Sequence, residues 1–139
     1  MAFIVKDVGE YILPEVVSAY IDSFAGPPWF ETCWSEESVE KILVDAFAQE
    51  GFAGQAVFHD DLVVGACFGY KVPKEDTPTV NFSAIDAMLE NVGWNNSFYL
   101  AKVFMRQRYQ GYGAERVCLD FSQLGMVRAL LCLEQLIQI

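Results

Sequence analysis

The sequence predicts an α/β fold, a mixed layer of strands and amphipathic helices in one domain. Two patterns and one bulk property carry this reading. Apolar residues recur at helical spacing in some stretches and alternate with period two in others. Glycine, proline and small polar residues punctuate the boundaries between them. The chain is 139 residues long and 53% hydrophobic, enough for a real core and too apolar for disorder.

Residues 3–8 read as a first strand. Leu13, Val16, Val17, Tyr20, Ile21 and Phe24 keep helical spacing, with Pro14 suited to a first turn and Gly26-Pro27-Pro28 as the stop. Ser35 is the expected N-cap of a second helix, and Glu36 and Glu37 stand where its dipole favours acids. Val39, Ile42, Leu43, Ala46 and Phe47 form its apolar face, and Gly51 ends it. Residues 55–59 and 62–70 read as a hairpin closed by Asp60-Asp61. A polar loop at 73–78 leads to a short helix over 83–92, with Ser83 as expected cap.

Residues 97–105 are strand-like. Strict alternation puts Tyr99, Ala101, Val103 and Met105 on one face and Phe98, Leu100, Lys102 and Phe104 on the other. Gly111 and Gly113 follow, then a helix pattern at Ala114, Val117, Cys118 and Phe121. This strand–glycine turn–helix order aims backbone N–H groups and a positive helix end at one point, which suits a phosphate. The glycines let a ligand approach the main chain, and Arg108 is placed to add charge. The turn is neither a Walker loop nor a dinucleotide fingerprint, since residue 116 is arginine and no Gly-Lys-Ser/Thr follows. On the residues alone, a phosphate cradle and a merely structural turn both remain open.

The net charge of −10 argues against nonspecific binding to nucleic acid or to anionic membranes. Lys102, Arg106, Arg108 and Arg116 nevertheless stand together with only Glu115 against them, a basic island suited to a small anion. Cys33, Cys67, Cys118 and Cys132 form no C-x-x-C pair, and three of them sit in apolar runs expected to be core. No secretory signal opens the sequence, so a cytoplasmic location is the expectation. No metal-ligand spacing, Ser/His/Asp arrangement or membrane-length apolar run is visible, and the single histidine, His59, reads as a surface residue.

Arg108-Tyr-Gln-Gly111-Tyr-Gly113 resembles the Arg/Gln-x-x-Gly-x-Gly/Ala signature of the GCN5-related N-acetyltransferase (GNAT) family. Val103 on the preceding strand, the element order, the Pro27-Pro28-Trp29-Phe30-Glu31 segment and Val64-Gly65 in the hairpin are also similar to members of that family. The resemblance covers residues 3–123. It implies a GNAT-like, mostly antiparallel sheet flanked by helices, with acetyl-CoA as co-substrate and a small amine as acceptor. Main-chain groups around Val103 and Met105 would pair with the pantetheine arm. The N–H groups of Tyr109, Gln110, Gly111, Tyr112, Gly113 and Ala114 would hold the pyrophosphate, beside Arg108. The amine would attack the thioester directly, and a backbone N–H of the central strand would stabilise the oxyanion. The family's usual proline stands as Met105.

The resemblance also implies roles on the acceptor side. The loop between the first two helices would line it, making Glu31 the candidate base and Trp29 and Phe30 apolar walls. Glu31 is equally readable as a solvated loop acid. Trp94 and the 83–92 helix would form the opposite wall. Residues 1–125 are thus read as the acyl-CoA-binding domain, and 126–139 as an apolar, helical tail in place of the family's C-terminal strands and helix. No tyrosine follows Tyr112 to act as general acid. A truncated or frameshifted member, a tail that completes the sheet or forms a homodimer, and a shorter active architecture all fit that ending. The functional alternatives are a silent acyl-CoA-binding module and a partner-binding domain without CoA.

Overall fold

The computed structural model describes residues 2–78, 80–93 and 97–114, together with the backbone of Ala129–Leu131. Among the described residues, five strands form one sheet in chain order: β1 (Ile4–Asp7), β2 (Ala53–His59), β3 (Leu62–Lys71), β4 (Phe98–Met105) and β5 (Ala129–Leu131). The first three pairings are antiparallel and β4–β5 is parallel, running from Phe98↔Ala129 to Leu100↔Leu131. Three helices, α1 (Leu13–Ala25), α2 (Glu36–Phe47) and α3 (Phe82–Asn91), flank it among the described residues.

Local chemistry sets most boundaries as expected. Pro14 lies in the first turn of α1, where its missing N–H costs nothing. Ser35 caps α2, accepting from the Ser38 N–H while the Ser38 hydroxyl accepts from the Ser35 N–H. The β2–β3 turn places Asp60 and Asp61 at φ of 50° and 65°, the left-handed pair that matches strand twist in a two-residue hairpin. The cap of α3 differs from the sequence reading. Asn81, not Ser83, accepts from the Ala84 N–H, while the Ser83 N–H is taken by Asp76.

One core lies between the sheet and the helices. Val16, Val17, Tyr20 and Phe24 of α1 and Val39 and Leu43 of α2 pack on Ala66, Phe68, Tyr99 and Phe104. The opposite face gathers Val57, Val64, Phe98, Leu100, Val103 and Met105. This division corrects the strict alternation expected of β4. Phe68 pairs with Lys102 but Gly69 pairs with Leu100, so Ala101 is an extra residue, a β-bulge. The bulge resets the faces. Phe98 and Leu100 share theirs with Val103 and Met105, whereas Tyr99, Ala101 and Phe104 face the helices. Gly69 permits this geometry, because a Cβ there would lie 2.0 Å from the Tyr99 carbonyl oxygen.

The tail expected to be helical contributes strand β5 at 129–131, because its backbone completes a ladder with β4. The expected helix residues Val117, Cys118 and Phe121, Trp94, and the remaining tail with its homodimer interface lie outside the described residues. Cys67 is fully buried as expected but is disulfide-bonded rather than a core thiol, while Cys33 is free and exposed.

Gly69→Ala forces the added methyl against backbone that has nowhere to move. We expect a loss of about 3 kcal/mol, read as a fall in urea midpoint at unchanged slope.

Candidate functional site

The segment after β4 is tied to α1 before it reaches the glycines. The Arg106 N–H donates to the Val64 carbonyl (2.6 Å), and its guanidinium donates to the Val63 carbonyl (2.8 Å) and the Ser18 hydroxyl (3.1 Å). The Gln107 N–H donates to the Asp22 carboxylate at 2.8 Å, and its side-chain amide donates to the Asp22 carbonyl at 2.8 Å. Gly26, at the end of α1, leaves room for that Gln107 side chain; a Cβ would lie 2.4 Å from it. A 3₁₀ turn, Gln107–Tyr109, follows. Gln110 folds its amide back onto the Met105 carbonyl at 3.0 Å.

Gly111 and Gly113 then adopt φ of +85° and +80°, a region that L side chains rarely enter. Among the described residues, nothing lies within 4 Å of a Cβ built on either. Gly111 and Tyr112 are exposed and Ala114 is fully buried. Tyr109 is also buried, its ring against Phe3 and His59, and its N–H is spent on the Arg106 carbonyl at 2.9 Å, as that of Gln110 is on the Gln107 carbonyl at 3.4 Å, so these two expected phosphate donors are taken by the 3₁₀ turn. Val103 and Met105 bury their side chains on the sheet face away from α1.

The basic island does not converge as expected. Arg106 is spent on the clamp, Arg108 lies exposed over the Tyr109 ring, and Arg116 lies outside the described residues. Lys102 points the other way, towards α1. Its Nζ sits 5.7 Å from the Tyr20 ring centre and 5.6 Å from that of Phe24. In the sequence, Lys102 stands out only as one charge of the basic island. Its place as the one charged residue of an otherwise apolar strand is the more telling signal.

The loop joining α1 to α2 lies beside these rings. The Phe30 N–H donates to the Gly26 carbonyl and the Glu31 N–H to the Phe24 carbonyl, at 2.9 and 2.7 Å. Half-buried Glu31 accepts from the Trp34 indole at 3.1 Å. The Trp29 ring packs on Phe24 and the Trp34 ring edge-on to Tyr20. Phe30 is exposed, with φ of 50°. Burial foremost, then the nearby Glu31 and Cys33, raises the Tyr20 hydroxyl above its ordinary pKa and keeps it neutral.

The single histidine is partly exposed beside the β2–β3 turn. Its ring is half-buried against Phe3 and Tyr109, and it contacts the Ala2 carbonyl and Asp60. A separate open cavity of about 450 Å³ lies at the far end of β3, lined by Glu50, Lys71, Lys74, Asp76 and Phe82 among others. Among the described residues, no three metal-ligating side chains cluster, and no helix is long and apolar enough to cross a membrane.

The architecture is that of the GNAT acetyltransferases. The aminoglycoside N-acetyltransferase AAC(6')-Iy, solved with CoA, superposes with a TM-score of 0.62 at 9% identity, over 99% of this chain and 82% of its own. The PaiA N-acetyltransferase of Thermoplasma acidophilum, in complex with coenzyme A, gives 0.60 at 11% identity, over 94% and 79%. A GNAT family acetyltransferase of Staphylococcus aureus gives 0.59 at 10%, over 95% and 87%. By sequence, no protein-family model and no curated protein matches the chain.

Two outcomes follow from this geometry. Asp22→Ala removes the charged acceptor of the Gln107 N–H and with it a tie to α1, and should cost roughly 1 kcal/mol in denaturant titration. A raised phenol pKa leaves stability intact below the unfolded value and erodes it as pH rises above about 10. Tyr20→Phe should therefore lose less stability than wild type on alkaline titration.

Proposed function

We propose that the protein transfers the acetyl group of acetyl-CoA to a small primary amine by direct attack. The observation that carries this reading is the turn at 110–114. Two glycines with positive φ, with nothing among the described residues within 4 Å of a Cβ built on either, stand at the end of a strand clamped to α1, in a fold of which two solved neighbours hold CoA. The N–H groups of Gly111 to Ala114 hold the pyrophosphate, with exposed Arg108 adding a cation. The main chain of Val103 and Met105 guides the pantetheine arm, and their buried side chains keep the strand rigid beneath it.

The acceptor enters from the α1–α2 loop. Aromatic faces of Trp29 and Phe30 line that approach, and aminoglycosides are the acceptor class of one structural neighbour. The Glu31 carboxylate takes the ammonium proton, directly or through water, before the amine attacks. Its bond from Trp34 fixes one oxygen and leaves the other to the acceptor. Collapse of the tetrahedral intermediate expels the CoA thiolate.

Calorimetric titration with acetyl-CoA tests the co-substrate site. Wild type should bind in the micromolar range, and Gly111→Trp should lose at least roughly tenfold in affinity by filling the cradle and straining the left-handed turn. No binding by folded wild type would end the reading. With an amine acceptor in hand, Glu31→Gln should lower kcat about 10²-fold and flatten the acid limb of the pH–rate profile. An unchanged profile would remove Glu31 from the chemistry.

A further inference from the structure

We propose that Lys102 is itself an acetyl acceptor, modified within the same molecule when acetyl-CoA binds without an amine substrate. This rests on the acetyl-CoA reading above. Lys102 is the only lysine of β4 and directly precedes Val103, whose main chain that reading sets beside the pantetheine arm. The bulge at Ala101 turns its side chain to the α1 face, the side of Glu31 and the α1–α2 loop. There its ammonium lies over two aromatic faces and has no carboxylate within ion-pair distance among the described residues. A small cationic acceptor would meet the same surroundings, so the side chain stands where a substrate amine would stand.

The other lysines are placed differently. Lys71 pairs with Glu50 at 3.6 Å, and Lys6, Lys41 and Lys74 are exposed on other segments. The flexible stem of Lys102 carries Nζ from the rings to the strand edge by rotamer change alone. The ammonium first gives one proton to solvent water, and the free amine then attacks the acetyl carbonyl. A C–N bond forms, the C–S bond breaks, and its electron pair leaves on sulfur. The proton surplus on nitrogen passes through water to the thiolate, giving acetyl-lysine and CoA thiol. The uncharged product no longer attracts the ring faces as a cation does.

The test incubates wild type and Lys102→Arg with acetyl-CoA and no amine, followed by intact mass and peptide mapping. Acetyl-CoA binding is measured by calorimetry on the same samples. The expected result is one acetyl group on Lys102, gained at least roughly tenfold faster than on Lys74 or Lys41 because the donor is held beside it. That rate should not change on dilution of the protein, and the fast phase should be absent in Lys102→Arg. Acetyl-CoA binding with Lys102 no faster than Lys74 overturns the proposal and leaves the co-substrate reading standing. A rate that falls on dilution overturns it in favour of transfer between molecules. Absence of acetyl-CoA binding overturns both.

Discussion

The clamp between the end of β4 and α1 is the constraint on which the rest of this architecture depends. Arg106 and Gln107 together engage Val63, Val64, Ser18 and Asp22, joining the two central strands and one helix at a single corner. Backbone leaving a strand would otherwise be free to fan out over the sheet. Here its donors are consumed in a fixed order, and the glycine turn begins from a defined direction. The same corner receives Gly26, so the loop that carries Glu31 starts from a point already locked to the turn. The glycine turn and the α1–α2 loop are thereby held by one set of hydrogen bonds.

The face of α1 beside the clamp is built on apolar contact rather than ion pairing. Tyr20 touches Phe24, Trp34 and Phe104, each ring meeting the next tilted or edge-on. Such packing leaves ring faces available to a cation and holds little conformational freedom. Glu31 supplies the one nearby carboxylate of the loop, oriented by an indole N–H instead of a counter-ion.

Much of this is legible in the sequence where the signal is local. Helices α1 and α2, the Ser35 cap and the Asp60-Asp61 hairpin follow from spacing and turn chemistry within a few residues. So does the strand–turn–glycine order that suggests an anion site. The faces of β4 are not legible, because a bulge depends on pairing with β3, and every β4 residue except Lys102 is apolar enough for either side. The clamp is hidden for the same reason. Ser18 and Asp22 look like the solvated face of α1 until the chain returns 88 and 85 residues later, and no shared motif links Ser18 to Arg106 or Asp22 to Gln107. Composition alone favours a helix for the apolar tail, whereas edge pairing with β4 decides the strand at 129–131.

Gly69 has a wider consequence than its size suggests. A strand that is apolar on both sides has little in its own side chains to choose one register over another. The choice falls instead to a contact in which a side chain is missing, since only a hydrogen fits against the Tyr99 carbonyl. Shift the pairing by one residue and Phe104 leaves the helices, taking Lys102 out of its aromatic surroundings. The chemistry available on the central strand is therefore governed by a residue on its neighbour that never meets a ligand. In a diverging lineage, that position would constrain function while looking like mere backbone.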